Sequence, residues 1–182
     1  MECETTSLPG VLLLKPRVFA DDRGYFLETW QARSYQSAGV LLPFVQDNHS
    51  HSVRHVLRGL HYQICQPQGK LVRVVSGEVF DVAVDMRRSS ATLGHWFGIV
   101  LSSKNGLSMW VPPGFAHGFL ALSDEVDFLY KCTDYYSPEH ERAVRWDDPT
   151  LGIRWPLAAG APPKLSGKDA AAPLFGDAEC FP

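Results

Sequence analysis

Glu78-Val-Phe-Asp-Val-Ala-Val-Asp85 alternates along its whole length. Phe80, Val82 and Val84 fall on one face, and Val79, Asp81, Ala83 and Asp85 on the other. A period of two is that of an extended chain, so this stretch predicts a strand. Similar β-rich runs precede it at Gly10–Pro16, Tyr25–Thr29, Val56–Tyr62 and Lys70–Ser76. Others follow at Trp96–Leu101, Ser108–Val111, Gly118–Ala121, Val126–Cys132 and Ala143–Trp146. Turn-forming residues separate them, as in Asp21-Asp22-Arg23-Gly24, Lys104-Asn105-Gly106 and Pro112-Pro113-Gly114. Only Trp30–Gly39 reads as a helix in the N-terminal half. Many short strands spaced about 8–12 residues apart predict an all-β sandwich or antiparallel barrel. Residues 158–182 shift to Ala, Pro and Gly, which predicts an extended C-terminal segment over the barrel, with room for a short helix.

The chain has 182 residues, enough for one domain, 1–182, with a core that needs no metal or disulfide. Its 45% apolar and 20% charged residues exclude intrinsic disorder. Seventeen basic against twenty acidic residues give a net charge of −3, which argues against nonspecific nucleic-acid binding. No apolar run reaches the ~18 residues of a membrane span. The acidic start Met1-Glu2-Cys3-Glu4 lacks the basic region of a signal peptide. Four widely spaced cysteines without a CxxC pair predict free thiols in a cytoplasmic protein.

The strands carry costly chemistry. Arg58, His61 and Lys70 lie in strand patterns, Phe128 and Tyr130 share one strand face, and His117 follows the Pro112-Pro113-Gly114 turn. Charged groups on core strands are unfavourable unless paired or serving a site. Singly, each has an ordinary reading: a satisfied structural histidine, a lysine guarding a strand edge, a core tyrosine, and Asp169 as a turn residue or helix cap. Together, a histidine base, a carboxylate to fix its tautomer, a tyrosine acid and a lysine beside a developing enolate make a complete set for proton transfer at carbon. Metal binding is the competing chemistry, with His49, His51 and His55 offering an HxH pattern. No downstream carboxylate and histidine at matching spacing accompany them, and they lie in a polar stretch that reads as a loop. A strict period of two puts Arg58 and His61 on opposite faces. Both enter one cavity only if the strand bends or bulges, and Gly59 is the place for it.

Several stretches in order resemble the dTDP-4-dehydrorhamnose 3,5-epimerase family. They include Asp22–Glu28 (DRGYFLE), Leu57–Gln63 (LRGLHYQ), Gly69–Arg87 (GKLVRVVSGEVFDVAVDMR), Trp110–Phe119 (WVPPGFAHGF), Tyr130–Tyr136 (YKCTDYY) and Leu165–Asp169 (LSGKD). The ordered set spans almost the whole chain. The resemblance implies a cupin-type antiparallel β-barrel, or jelly roll, with a few short helices, a homodimer, and no metal or other cofactor. It implies epimerisation of dTDP-4-keto-6-deoxy-D-glucose at C3 and C5. His61 would be the base, Asp169 its partner, Tyr130 the acid and Lys70 the enolate stabiliser. Arg58 and His117 would line the sugar pocket. Arg23, Phe26 and Glu28 would reach the nucleotide of the neighbouring subunit. Gln46, Asn48, Tyr136 and Lys168 would hold thymidine and pyrophosphate. The alternatives are a mono-epimerase acting at C3 or C5 alone, a metal-dependent enzyme of the same fold, and a noncatalytic binder of sugar nucleotides.

Overall fold

The structure is a computed structural model and describes residues 1–157 and 161–182. The chain forms strands β1 (Glu2–Thr5), β2 (Leu12–Lys15), β3 (Val18–Asp21) and β4 (Gly24–Leu27), then helix α1 (Ala32–Ser37). Next come β5 (Gln46–Val53), β6 (Leu57–Gln63), β7 (Lys70–Ser76), β8 (Glu78–Asp85) and β9 (Trp96–Ser102). Strands β10 (Ser108–Val111), β11 (Phe115–Ala121), β12 (Glu125–Cys132) and β13 (Glu141–Ala143) precede the short helix α2 (Gly167–Ala170). A six-stranded sheet in the order β1-β2-β10-β7-β12-β5 faces a five-stranded sheet in the order β13-β6-β11-β8-β9. All pairings between these strands are antiparallel. Strands β3 and β4 form a separate hairpin. The all-β architecture expected from the sequence is therefore present.

The alternation in β8 explains how the layers stack. Val79 and Ala83 enter the core between the sheets, with Val72, Phe119 and Phe128. Val82 and Val84 point the other way and meet Phe181, Ala178 and Phe175 of the C-terminal segment. Those residues thus cover the outer face of the five-stranded sheet, while residues 158–160 of the segment expected there lie outside the described residues. Helix α1 plugs the outer face of the other sheet with Tyr35, against Leu14, Leu71 and Trp110.

Four expectations need correction. The polar stretch read as a loop around His49 and His51 is strand β5, paired along its full length with β12. Its inward residues are polar because they face a cavity rather than packed core, which hides the usual apolar alternation. The strand expected at Ala143–Trp146 lies earlier, at Glu141–Ala143, and only a backbone pair between Val144 and Leu60 continues it. The helix is six residues, not the whole of Trp30–Gly39. Strands β1 and β3 were not anticipated, because β1 is exposed and acidic and β3 is a short exposed arm of the hairpin.

The expected bend at Gly59 is present. The β11–β6 register shifts between His117 and Phe119. Gly59 has φ of +126°, and a Cβ there would lie 2.5 Å from Gly118 Cα. Both backbone conformation and space therefore require glycine. We expect Gly59→Ala to lower stability by about 2 kcal/mol or more, measured by urea unfolding, because neither contact is the end of a flexible side chain.

Candidate active site

Two adjoining cavities, of about 290 and 250 Å³, open between the sheets and share His61, Lys70 and Tyr130. The outer one is also lined by Gln46, Asn48, Gln63, Tyr136 and Glu141. Ser50, Arg58, His117, Phe119, Phe128 and Asp169 line the inner one. Because of the bend at Gly59, Arg58 and His61 both face inward, as the sequence required of a shared site.

His61 comes from β6 in the five-stranded sheet, whereas Lys70 and Tyr130 come from β7 and β12 in the opposite sheet. His61 Nε2 lies 2.5 Å from Asp169 Oδ1. Asp169 sits in α2, whose first turn is capped by Ser166: its hydroxyl accepts from Asp169 N at 3.1 Å and donates to Oδ2 at 2.7 Å. Burial works against the Asp169 charge, but the hydrogen bonds it accepts from His61 and Ser166 outweigh it and hold the carboxyl below its ordinary range. Burial pushes the Lys70 ammonium down and the Tyr130 phenol up. Lys70 Nζ donates to the His61 carbonyl at 3.5 Å.

The remaining expected residues fall into two groups. Arg58 donates Nε–H to Ser52 Oγ and a terminal N–H to the His51 carbonyl, both at 3.0 Å, which fixes its guanidinium at the cavity wall. At the mouth, Gln46 donates to Asn48 Oδ1 and accepts from the Tyr136 backbone N–H, each at 3.0 Å. Lys168 lies at the rim, its ammonium 2.8 Å from Glu141 Oε2. By contrast, Arg23, Phe26 and Glu28 join neither cavity. Arg23 pairs with Asp21 at 2.6 Å on the exposed hairpin, and Phe26 is 69% exposed. His49 and His51 face away from the cavity, and their rings both meet Asp127 Oδ1, at 2.8 and 3.2 Å.

Sequence reasoning missed two carboxylates. Asp81 is fully buried, with Oδ1 2.9 Å from His117 Nε2. Its signal was an acid at an inward position of the alternating strand. Glu141 joins Tyr136 and Lys168 through one oxygen, with the Tyr136 hydroxyl at 3.2 Å. It lies in the polar run Ser137–Arg142, where nothing sets it apart.

The family model for dTDP-4-dehydrorhamnose 3,5-epimerase matches residues 5–177. The chain belongs to this family. It is 56% identical to dTDP-4-dehydrorhamnose 3,5-epimerase of Pseudomonas aeruginosa, over 100% of both chains. Among solved structures, it resembles the dTDP-6-deoxy-D-glucose-3,5-epimerase of Legionella pneumophila in complex with dTDP-4-keto-L-rhamnose. The TM-score is 0.93 at 50% identity, covering 97% of this chain and 93% of that one. It also resembles a 3'-monoepimerase from Streptomyces bikiniensis in complex with dTDP-quinovose, with TM-score 0.88 and 34% identity, covering 94% and 86%. The family thus agrees with the resemblance drawn from the motifs, and its structures share the cupin-type fold.

The Asp169–His61 pair gives the site an acid-sensitive element. A carboxyl held below its unfolded value stabilises the fold when ionised, fully so above that value, about 3.9. The contribution is lost as pH falls through the lower folded value. Thermal melts should therefore show wild type more stable than Asp169→Asn above about pH 4. The gap should narrow as pH drops below it. A gap that stayed constant or widened in acid would contradict the pairing.

Proposed function

We infer that this chain epimerises dTDP-4-keto-6-deoxy-D-glucose at C3 and C5 to dTDP-4-keto-L-rhamnose, in dTDP-L-rhamnose or related deoxysugar biosynthesis. The observation that carries this reading is the placement of His61 and Tyr130 on facing sheets of one cavity. A C4 ketone acidifies the C–H bonds on both sides of it, so the reaction calls for a base, an acid and a stabilised enolate rather than a redox step. With Nε2 engaged by Asp169, the other ring nitrogen of His61 is left to take the carbon-bound proton. Asp169 holds the tautomer and stabilises the imidazolium, the division of labour seen in hydrolase triads. The electrons of the broken C–H bond move to the C4 oxygen, and Lys70 stabilises the enolate. Tyr130 then delivers a proton to the same carbon from the opposite wall. A proton returned by His61 would restore the starting stereochemistry, so inversion needs the second group.

The nucleotide is assigned to the mouth. Gln46 and Asn48 offer amide hydrogen bonds and Tyr136 a ring for the base. Lys168 meets the pyrophosphate, since its solvent-screened pair with Glu141 yields readily to an anion. Arg58 and His117 serve the sugar end. No metal or other cofactor enters this scheme. The protein works in the cytoplasm as a homodimer, without nucleic acid or membrane as a partner. Among the described residues no helix is long and apolar enough to cross a membrane. The exposed hairpin supports the dimer: Val18, Phe19, Tyr25 and Phe26 on its arms are all more than half exposed, an apolar surface left uncovered by the described residues. Arg23, Phe26 and Glu28 of one protomer would then complete the nucleotide site of its partner. The mono-epimerase reading is not favoured, since relatives named 3,5-epimerase reach 56% identity against 34% for the monoepimerase.

Proton NMR of the keto-sugar nucleotide with the enzyme in deuterium oxide should show deuterium entering at both C3 and C5 without added metal. His61→Ala should abolish exchange at both carbons, and full activity in that variant refutes the assignment. Tyr130→Phe should impair epimerisation more than the initial loss of proton. Independently, Phe26→Asp should shift the protein toward monomer in sedimentation and raise KM by about tenfold or more. A variant that remains dimeric with unchanged KM would remove the hairpin from the site.

A further inference from the structure

Asp81 is the buried acid that the scheme above leaves unused. It sits on the inward face of β8, between Val79 and Ala83, with no solvent exposure. Oδ1 is hydrogen-bonded to His117 Nε2 at 2.9 Å, but among the described residues Oδ2 is buried without any hydrogen-bond partner. A buried carboxylate that leaves an oxygen unpaired is costly, and interiors avoid such groups unless they serve a purpose. His117 is itself pinned. It is the β11 partner of His61 in register, and its ring stacks on Phe128 at 6.2 Å. Among the described residues its Nδ1 has no hydrogen bond, and the residue lines the inner cavity beside Lys70.

Lys70 needs a counter-charge. Among the described residues its ammonium has only the His61 carbonyl as a hydrogen-bond partner, at 3.5 Å, and burial disfavours its charge. The groups that favour the charge come from three strands: Cys132 on β12, Glu141 on β13 and Asp81 on β8. His61, His117 and Tyr130 also share the cavity walls with it. The Cys132 thiol is pushed up by burial, which keeps it neutral. Glu141 is already engaged by Lys168 and Tyr136. Asp81 is the one of the three whose free oxygen is buried without a hydrogen-bond partner among the described residues; burial pushes its carboxyl up, and the charges of His117 and Lys70 work against that shift.

We propose that Asp81 is a positioning residue for the isomerisation. From beneath the cavity it holds His117 by Nε2 and supplies the negative charge that keeps Lys70 an ammonium facing the substrate's carbonyl oxygen. The inference rests on the enolate-stabilising role given to Lys70. It assigns this unpaired acid to the electrophilic side of the site, separate from the His61–Asp169 pair that handles the carbon-bound proton.

Asp81→Asn tests the charge alone, since the amide oxygen still accepts from His117. Lys70 then loses its counter-charge and gives up its proton more readily. The alkaline limb of the kcat profile should move to lower pH by about one unit, which is about a tenfold loss on that limb. A lysine-specific readout needs no catalysis: reductive methylation of Lys70, followed by mass spectrometry of its peptide, should run several-fold faster at neutral pH in Asp81→Asn. Circular dichroism checks folding, and Asp81→Ser, which admits water, replaces the variant if it does not fold. A rate loss equal at every pH, with unchanged methylation of Lys70, overturns the proposal and leaves Asp81 a structural residue. Absence of any exchange in wild type would instead remove the functional reading, while the methylation comparison still decides the role of Asp81 toward Lys70.

Discussion

The approach of Gly59 to Gly118 governs what the barrel contains. At this point β6 and β11 come so close that no side chain fits on either residue; a Cβ on Gly118 would lie 2.6 Å from the Arg58 carbonyl. The strand switches faces across Gly59, so Arg58 and His61 look inward while Leu60 and Tyr62 pack under the C-terminal segment. Without that switch a regular strand would turn either the arginine or the histidine into an apolar layer. One backbone irregularity thus makes a polar interior compatible with a well-packed exterior.

A polar interior has to be held together. Lone ionised groups in a low-dielectric cavity are expensive, and each here has a partner or a path to water. His61 has Asp169, His117 has Asp81, and Arg58 has Ser52 and a carbonyl. These contacts fix ring orientation as well as charge. The walls divide the labour by sheet: the histidines lie on one side, the lysine and tyrosine on the other. A ring held between the sheets would therefore have His61 on one side and Tyr130 on the other, the arrangement the proposed reaction calls for.

Much of this was legible in the residues. The period of two in 78–85 identified the all-β class, and the inward acid it contains turned out to be Asp81. The clash between Arg58 and His61 pointed to Gly59 from spacing alone. Strand β5 was not legible, because Gln46, Asn48, Ser50 and Ser52 face inward and are polar. Periodicity detects a strand through its apolar face, and a strand that lines a cavity has none. The place of Arg23, Phe26 and Glu28 was illegible for another reason. They lie on the exposed hairpin or just after it and join neither cavity of their own chain, so no local pattern ties them to the site.

The net charge of −3 argues against nucleic acid as a partner but says little of the cavity, and the arrangement of charges shows why a total is a poor guide. Arg58 and Lys70 line the cavity, the acids beside them are engaged by His61, His117 and Lys168, and other acids are held far from it. Asp85 is buried among Arg87, Ser90 and Thr92, and Asp148 accepts three backbone N–H groups. Local field, not total charge, decides what a cavity attracts. The same logic applies to the segment that completes the site. Asp169 meets His61 from a segment that Lys164 ties to Val56, while the last residues dock through Phe181 onto the five-stranded sheet. The His61–Asp169 pair is therefore made between a barrel strand, β6, and a helix of the segment that packs against the barrel.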